Sequence, residues 1–196
     1  MERRLTRQLE VGKVSVGGKA PIAVQSMTNT KTSDSVATLE QINRLAEAGC
    51  DIVRCAVPDM AAAEGLKTIV KESPIPVIAD IHFDYKLALA AIEAGVDGLR
   101  LNPGNIGGND RVAAVVEAAK KRNIPIRIGV NAGSLPKDLL EKYGHPTAEA
   151  LVESAFDHLE LLEKEGFYDT CVSMKSSTVP TMVKAARLFR QRCDYP

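Results

Sequence analysis

Four cationic side chains lie in short apolar segments that resemble β-strands. Arg54 and Arg100 each follow an Asp and two intervening residues, Arg127 lies inside the segment IRI, and Lys175 ends the segment VSMK. A charge in an apolar segment is costly unless it is paired or functional. If these strands are parallel neighbours, the four cations converge on one end of one sheet. We therefore expect an anion there, and a phosphorylated ligand is the simplest candidate.

Strand parity extends this set of candidate residues. Side chains two positions apart in a strand share a face of the sheet. The residues that should point inward together, near the carboxyl ends of the strands, are Arg100 with Asn102, Arg127 with Gly129 and Asn131, Ser173 with Lys175, and Asp80 with His82. The intervening residues are apolar and are expected to contact the helices.

Asp80 and His82 leave several roles open. They could act as a general acid/base pair or donate and accept hydrogen bonds to a substrate. Alternatively, Asp80 pairs with the cations in a purely structural network of ion pairs. For His82 we favour a role facing the ligand, whereas His145 and His158 are interpreted as residues of a loop and a helix surface.

A glycine-rich segment, NPGNIGG at residues 102–108, follows the predicted strand that contains Arg100. Glycines allow backbone N–H groups to turn toward a ligand, and the start of the next helix favours anions. Such loops are usually simple turns. Beside Arg100 and Asn102, this one becomes a candidate phosphate cradle.

The elements that must position these residues alternate between strand and helix. Strands are predicted at residues 22–27, 52–57, 77–81, 98–101, 126–130 and 171–175. Helix N-caps are predicted at Asp59, Asp84 and Thr147. The segment EAGCDIVR at residues 47–54 recurs as EAGVDGLR at residues 93–100, so a helix stops at Gly and a strand starts after Asp. This repetition predicts an α/β fold of the TIM-type (β/α)8 barrel class.

The strand count predicts an incomplete barrel. About six βα units are visible where a full barrel has eight. We therefore expect residues 1–196 to form one N-terminal substrate-binding barrel domain that is truncated. Open sheet edges favour pairing with another chain, so a homo-oligomer is expected.

The composition argues against several classes of protein. Lys plus Arg and Asp plus Glu both number 25, so the basic excess of a nucleic-acid binder is missing. No apolar segment approaches the roughly 20 residues that span a membrane, and the amino terminus lacks the apolar region of a secretory signal. The four cysteines are scattered and form no metal-binding pattern. The chain is thus predicted to be cytoplasmic, with no metal ligands of its own.

Four longer motifs carry a family resemblance. They are AVQSMTN at residues 23–29, VIADIHFDY at 77–85, LRLNPGNIG at 99–107 and IRIGVNAGS at 126–134. Together they closely resemble the 4-hydroxy-3-methylbut-2-en-1-yl diphosphate synthase family of the non-mevalonate isoprenoid pathway. The resemblance extends from about Val14 to the end of the chain.

The resemblance implies an oxidoreductase that opens 2-C-methyl-D-erythritol 2,4-cyclodiphosphate reductively to the linear allylic diphosphate. It implies a [4Fe-4S] cluster, with ferredoxin or flavodoxin as electron donor, and a homodimer. The cluster ligands belong to a separate C-terminal domain that is absent from this chain, so the chain alone is expected to be inactive. The family's substrate-pocket positions correspond here to Arg54, Arg100, Asn102, Arg127, Asn131, Ser173 and Lys175, and its polar pair to Asp80 and His82.

Two other functions remain open at this stage. One is a different phosphate-binding barrel, such as a dihydropteroate-synthase-like pterin transferase. The other is a non-catalytic structural module whose cations form ion pairs. Anion binding distinguishes the second alternative from the leading hypothesis, and the choice of ligand distinguishes the first.

Overall fold

The computed structural model of the chain describes residues 4–196 and contains two sheets. A two-stranded antiparallel hairpin precedes a six-stranded parallel sheet whose strand order follows the sequence. The hairpin consists of β1 (Gln8–Val11) and β2 (Val14–Gly17). The parallel sheet contains β3 (Gln25–Met27), β4 (Ile52–Ala56), β5 (Val77–Asp80), β6 (Gly98–Leu101), β7 (Ile126–Asn131) and β8 (Thr170–Lys175).

Helices connect the parallel strands, and a last helix follows β8. They are α1 (Ser35–Glu47), α2 (Met60–Glu72), α3 (Tyr85–Ala94), α4 (Asn109–Arg122), α5 (Lys137–Tyr143), α6 (Ala148–Lys164) and α7 (Val179–Arg190). The predicted caps are confirmed: Asp59, Asp84 and Thr147 accept hydrogen bonds from the first-turn amides of α2, α3 and α6. These bonds satisfy N–H groups that have no partner within the helix.

The main core lies between the outer face of the sheet and the helices. Strand residues such as Val53, Leu99 and Ile126 are fully buried there against helix residues such as Leu66 and Leu151. Burial of an aliphatic side chain contributes about 1.5–3 kcal/mol, so this layer holds each strand in its register. The predicted fold class is confirmed, because the six strands and their helices form a half-barrel of the TIM type.

The amino-terminal hairpin was not predicted. Exposed and buried residues alternate along β1, and a two-residue turn, in which Gly12 has φ +56°, joins it to β2. Leu9 and Val11 pack against Ile52, Ile78 and Cys171, on the face of the sheet that carries the polar residues. The hairpin therefore covers the inner face at the amino ends of the strands and leaves the carboxyl ends open.

Strands β3 and β8 are the two edges of the parallel sheet in the part of the chain described. At the edge of β8, the amide of Val172 donates a hydrogen bond to the carbonyl of Pro196 at 2.9 Å. The Arg7 guanidinium, 2.8 Å from Asp194, ties the same terminal segment to the start of the chain. Between residues 4 and 196, no helix has both the length and the apolar character needed to cross a bilayer.

Candidate anion-binding site

Asp80 is the centre of the polar cluster on the inner face. It is the last residue of β5 and only 3% exposed. Its Oδ1 lies 3.1 Å from Nη1 of Arg100, and its Oδ2 lies 3.4 Å from Nε of Arg54. Nε2 of His82 lies 3.7 Å from Oδ1, and this side chain is 47% exposed toward the open end. Three predicted site residues thus surround one buried carboxylate.

The Arg54 guanidinium is crowded by positive charge. Burial lowers its pKa, and the repulsion from Arg100 and Arg127 acts in the same direction, whereas Asp80 opposes the shift. An arginine nevertheless stays protonated in proteins. Its buried Nε has no hydrogen-bond acceptor among the residues described. A second anion beside Arg54 would relieve the repulsion.

Gly129 in β7 is hydrogen-bonded to residues at the carboxyl end of the neighbouring strand β6. Its carbonyl oxygen accepts from Nη2 of Arg100 at 2.7 Å and from Nδ2 of Asn102 at 2.9 Å. Its N–H donates to Oδ1 of Asn102 at 2.9 Å. A methyl group at position 129 would collide with the Arg100 guanidinium. Gly129 is therefore a site residue that strand parity placed on the correct face without revealing its role.

The carboxyl ends of β7 and β8 carry three more predicted site residues. Asn131 and Lys175 are register partners, and Lys175 is exposed. The Ser173 hydroxyl donates to the carbonyl of Ile128 at 3.3 Å. These residues share the inner face with the Asp80 cluster and continue it toward the open end, as predicted.

Arg127 approaches the cation cluster from a different direction. The register line through Asp80, Arg100, Arg127 and Cys171 begins at the carboxyl end of β5 and reaches the second residue of β8. Because this line descends across the sheet, Arg127 lies nearer the amino ends of the strands. Its Nε is 3.5 Å from Sγ of Cys171, and it borders a cavity of about 270 Å³ beside the hairpin. Arg127 is the register partner of Arg100 and repels Arg54, so it joins the cation cluster from the side of the amino ends of the strands.

The glycine-rich loop uses several of its amides internally. Asn105 and Ile106 donate to carbonyls within the loop, and Gly104 N donates to Nδ1 of His158 at 3.3 Å. These three amides are not free for a phosphate, so that part of the cradle prediction is wrong. Gly108, the N-cap of α4, supplies no side-chain cap. Any anion at this loop would therefore meet the start of α4.

His158 also corrects a prediction. It was placed on a helix surface, but it is 8% exposed and lies beneath the glycine-rich loop. Burial lowers its pKa to about 4, so the ring is neutral near pH 7. The sequence carries a signal for this burial, because His158 falls at helical spacing with Leu151, Ala155 and Leu162, which are buried residues of α6.

No group of three or more His, Cys, Asp or Glu side chains is placed to hold a metal ion within residues 4–196. Cys50, Cys55 and Cys171 are buried and Cys193 is partly buried, and all four are free thiols. A [4Fe-4S] cluster needs about four ligands that converge on it. The described residues do not fit such a cluster.

Residues 6–196 match a protein-family model that is described as "GcpE TIM-barrel domain". The chain belongs to the GcpE family. Among similar members, 4-hydroxy-3-methylbut-2-en-1-yl diphosphate synthase (flavodoxin) of Geobacter sulfurreducens is 66% identical over 191 residues, which cover 97% of this chain and 54% of that protein. The Clostridium perfringens protein of the same name is 57% identical over 196 residues, which cover 100% of this chain and 56% of that protein. The chain thus spans about half the length of the curated relatives it matches.

Solved structures resemble the GcpE chain in fold. The 3-dehydroquinate dehydratase of Geobacillus kaustophilus has a TM-score of 0.67 at 16% identity, covering 97% of this chain and 77% of that one. The dihydropteroate synthase of Yersinia pestis has a TM-score of 0.60 at 12% identity, and the match covers 92% of this chain and 68% of that one. At such identities the likeness concerns the barrel alone.

Proposed function

We propose that this chain is the substrate-binding part of an enzyme that opens 2-C-methyl-D-erythritol 2,4-cyclodiphosphate reductively to 4-hydroxy-3-methylbut-2-en-1-yl diphosphate. One observation carries the proposal: Arg54 and Arg100 flank the buried carboxylate of Asp80 on an inner face that also carries Arg127 and Lys175. One carboxylate cannot neutralise four cations. A diphosphate supplies the missing negative charge and the acceptors for charge-assisted hydrogen bonds.

Each site residue then has a defined part in binding. Arg54 and Arg100 hold the diphosphate, while Asp80 fixes the orientation of both guanidinium groups. His82, which is half exposed beside Asp80, faces the ligand at the open end. The remaining members of the proposed pocket are Asn102, Arg127, Asn131, Ser173 and Lys175. Of these, Asn102 acts mainly by holding Gly129, and Arg127 approaches from the amino ends of the strands.

The redox chemistry is proposed to need parts of the parent protein outside this chain. A [4Fe-4S] cluster would supply electrons to the substrate, and its ligands are assigned elsewhere because residues 4–196 do not group them. Flavodoxin, which the names of the relatives carry, is the proposed electron donor, with ferredoxin as the alternative. This chain alone would then bind substrate without turnover.

We further propose a homo-oligomer in the cytoplasm. Strands β3 and β8 are the outer strands of the described sheet, and such edges are where a second chain can add. The four free thiols suit a reducing compartment. Light scattering tests the first point, and a strictly monomeric species at high concentration would contradict it.

Calorimetric titration with the cyclic diphosphate tests the proposed function, with inorganic phosphate as the reference ligand. We expect saturable binding that exceeds phosphate binding. Arg100→Ala should weaken it by about 1.5–3 kcal/mol, the value for hydrogen bonds to charged groups. Arg122→Ala is the matched control, since this exposed arginine ends α4 beyond the amino ends of the strands. Equal affinities in wild type and Arg100→Ala would remove Arg100 from the site.

The two alternatives predict different titrations. A pterin transferase, favoured only by the shared barrel of the dihydropteroate synthases, would bind a pterin diphosphate better than the cyclic diphosphate. A structural module with ion-paired cations would bind neither ligand while remaining folded. The ion pairs of Asp80 with Arg54 and Arg100 are compatible with that alternative. Asp80 does not, however, pair with Arg127 or Lys175 on the same inner face.

A further inference from the structure

His158 supports the glycine-rich loop from the side opposite the proposed pocket. It lies in the middle of α6, a 17-residue helix, and is 8% exposed. Its Nδ1 lies 3.3 Å from the amide nitrogen of Gly104. A backbone amide can only donate, so Nδ1 is the acceptor and the ring proton lies on Nε2. The contact therefore requires a neutral imidazole.

The loop is consequently held at two points. In front, Asn102 exchanges two hydrogen bonds with Gly129, whose carbonyl also holds Arg100. Behind, two residues later, Gly104 is bound to His158. Between these points the chain forms a single 3-10 turn at Pro103–Asn105. Such a short connection transmits the position of Gly104 to Asn102.

Gly104 and His158 also fit each other sterically. A methyl group at position 104 would lie 3.0 Å from Cε1 of His158, which is closer than ordinary contact. The absence of a side chain thus lets the loop approach the ring. The imidazole fills the space beneath the loop and supplies its acceptor at the same place.

We propose that His158 is a positioning residue for the anion site, acting through Gly104 to hold Asn102 and hence Arg100 in their binding geometry. This inference rests on the proposed function for its ligand, but the positioning itself is independent of which anion binds. His158 touches no ligand. Its effect is confined to the geometry of the loop and of the side chains the loop presents.

Two substitutions separate the acceptor from the bulk of the ring. His158→Asn retains an acceptor near the position of Nδ1, whereas His158→Leu retains volume without an acceptor. His145→Leu is the matched control, because His145 is exposed in the loop before α6. Amide exchange at Gly104 and the side-chain NH₂ signals of Asn102 are followed by NMR, and affinity for inorganic pyrophosphate is followed by calorimetry.

We expect His158→Leu to accelerate exchange at Gly104, to shift the Asn102 signals and to weaken pyrophosphate binding by roughly two- to tenfold, the effect of one hydrogen bond. His158→Asn should restore all three readouts. If His158→Leu does not fold, His158→Gln replaces it, since its acceptor lies one bond too far along the side chain. Unchanged Asn102 signals in a folded variant without the Gly104 contact would overturn the proposal. Absence of pyrophosphate binding by wild type would instead refute the anion site, and the NMR readouts would still decide the role of His158.

Discussion

Gly129→Ala is the sharpest test of the site, because it displaces Arg100 without changing any charge. The new methyl carbon would lie 2.6 Å from Cζ of Arg100, whereas ordinary contact begins at 3.4 Å. The guanidinium must therefore move by roughly 1 Å to regain normal carbon contact. Its bonds to Asp80 (3.1 Å) and to the carbonyl of Gly129 (2.7 Å) cannot both survive that movement.

The structure sets the size of the effect. If one hydrogen bond from Arg100 to the diphosphate is lost, binding weakens by about 1.5–3 kcal/mol, which is roughly a 10- to 150-fold increase in Kd. Overpacking should also lower the free energy of unfolding by about 1–3 kcal/mol. Gly129 has ordinary backbone angles, so the cost comes from the contact and not from strain.

Calorimetry with pyrophosphate and urea denaturation measure the two effects. Gly133→Ala is the matched control, since a methyl group there would contact only Oδ1 of Asn131, at 3.8 Å. We expect the control to bind as wild type does. A folded Gly129→Ala variant with the wild-type Kd would refute the argument, because the displaced Arg100 would then have no part in binding.

Three further predictions concern stability. Asn102→Ala should lower the free energy of unfolding by about 1–3 kcal/mol in urea denaturation, because it leaves the buried N–H of Gly129 without its acceptor. An unchanged free energy of unfolding would mean that water or a shift of the loop replaces the bond. His158 has a pKa of about 4 in the native state against 6.5 as its ordinary value, so the unfolded chain binds a proton that the native chain does not. The free energy of unfolding should accordingly fall by up to about 3 kcal/mol as the pH decreases from 6.5 to 4. Denaturation curves of His158→Asn should lack this contribution. An identical pH profile in the variant would assign the slope to other groups. Asp59→Ala should cost about 0.5–2 kcal/mol by removing the N-cap of α2 while leaving pyrophosphate affinity unchanged, and a change in affinity would show that the cap influences the site.

Local signals in the sequence were sufficient for the elements and for the face of each strand. The caps at Asp59, Asp84 and Thr147 were predictable because a cap bonds to amides only two or three residues away. The hairpin also has a local signal, since polar and apolar residues alternate on either side of a two-residue turn that contains Gly12. The surface that the hairpin covers, at Ile52, Ile78 and Cys171, is distant in sequence, so only the fold reveals it.

The position of each residue along the barrel required the register. Parity correctly placed Arg100 and Arg127 on one face, but parity carries no information about height. The register pairs Asp80, at the end of β5, with Arg100, and then Arg100 with Arg127 near the start of β7. Register is decided by how the helices pack on the outer face, which no single strand encodes.

From the sequence alone, the fold class, the inward polar face and the family resemblance could be predicted, because strand period, capping and long motifs are all local patterns. Only the tertiary structure decided that Asp80 joins Arg54 to Arg100, that Gly129 must lack a side chain, and that His158 is buried beneath the loop. Each of these depends on side chains from different βα units meeting within a few ångströms. Such meetings follow from packing between distant segments, and a pattern along one strand does not specify them.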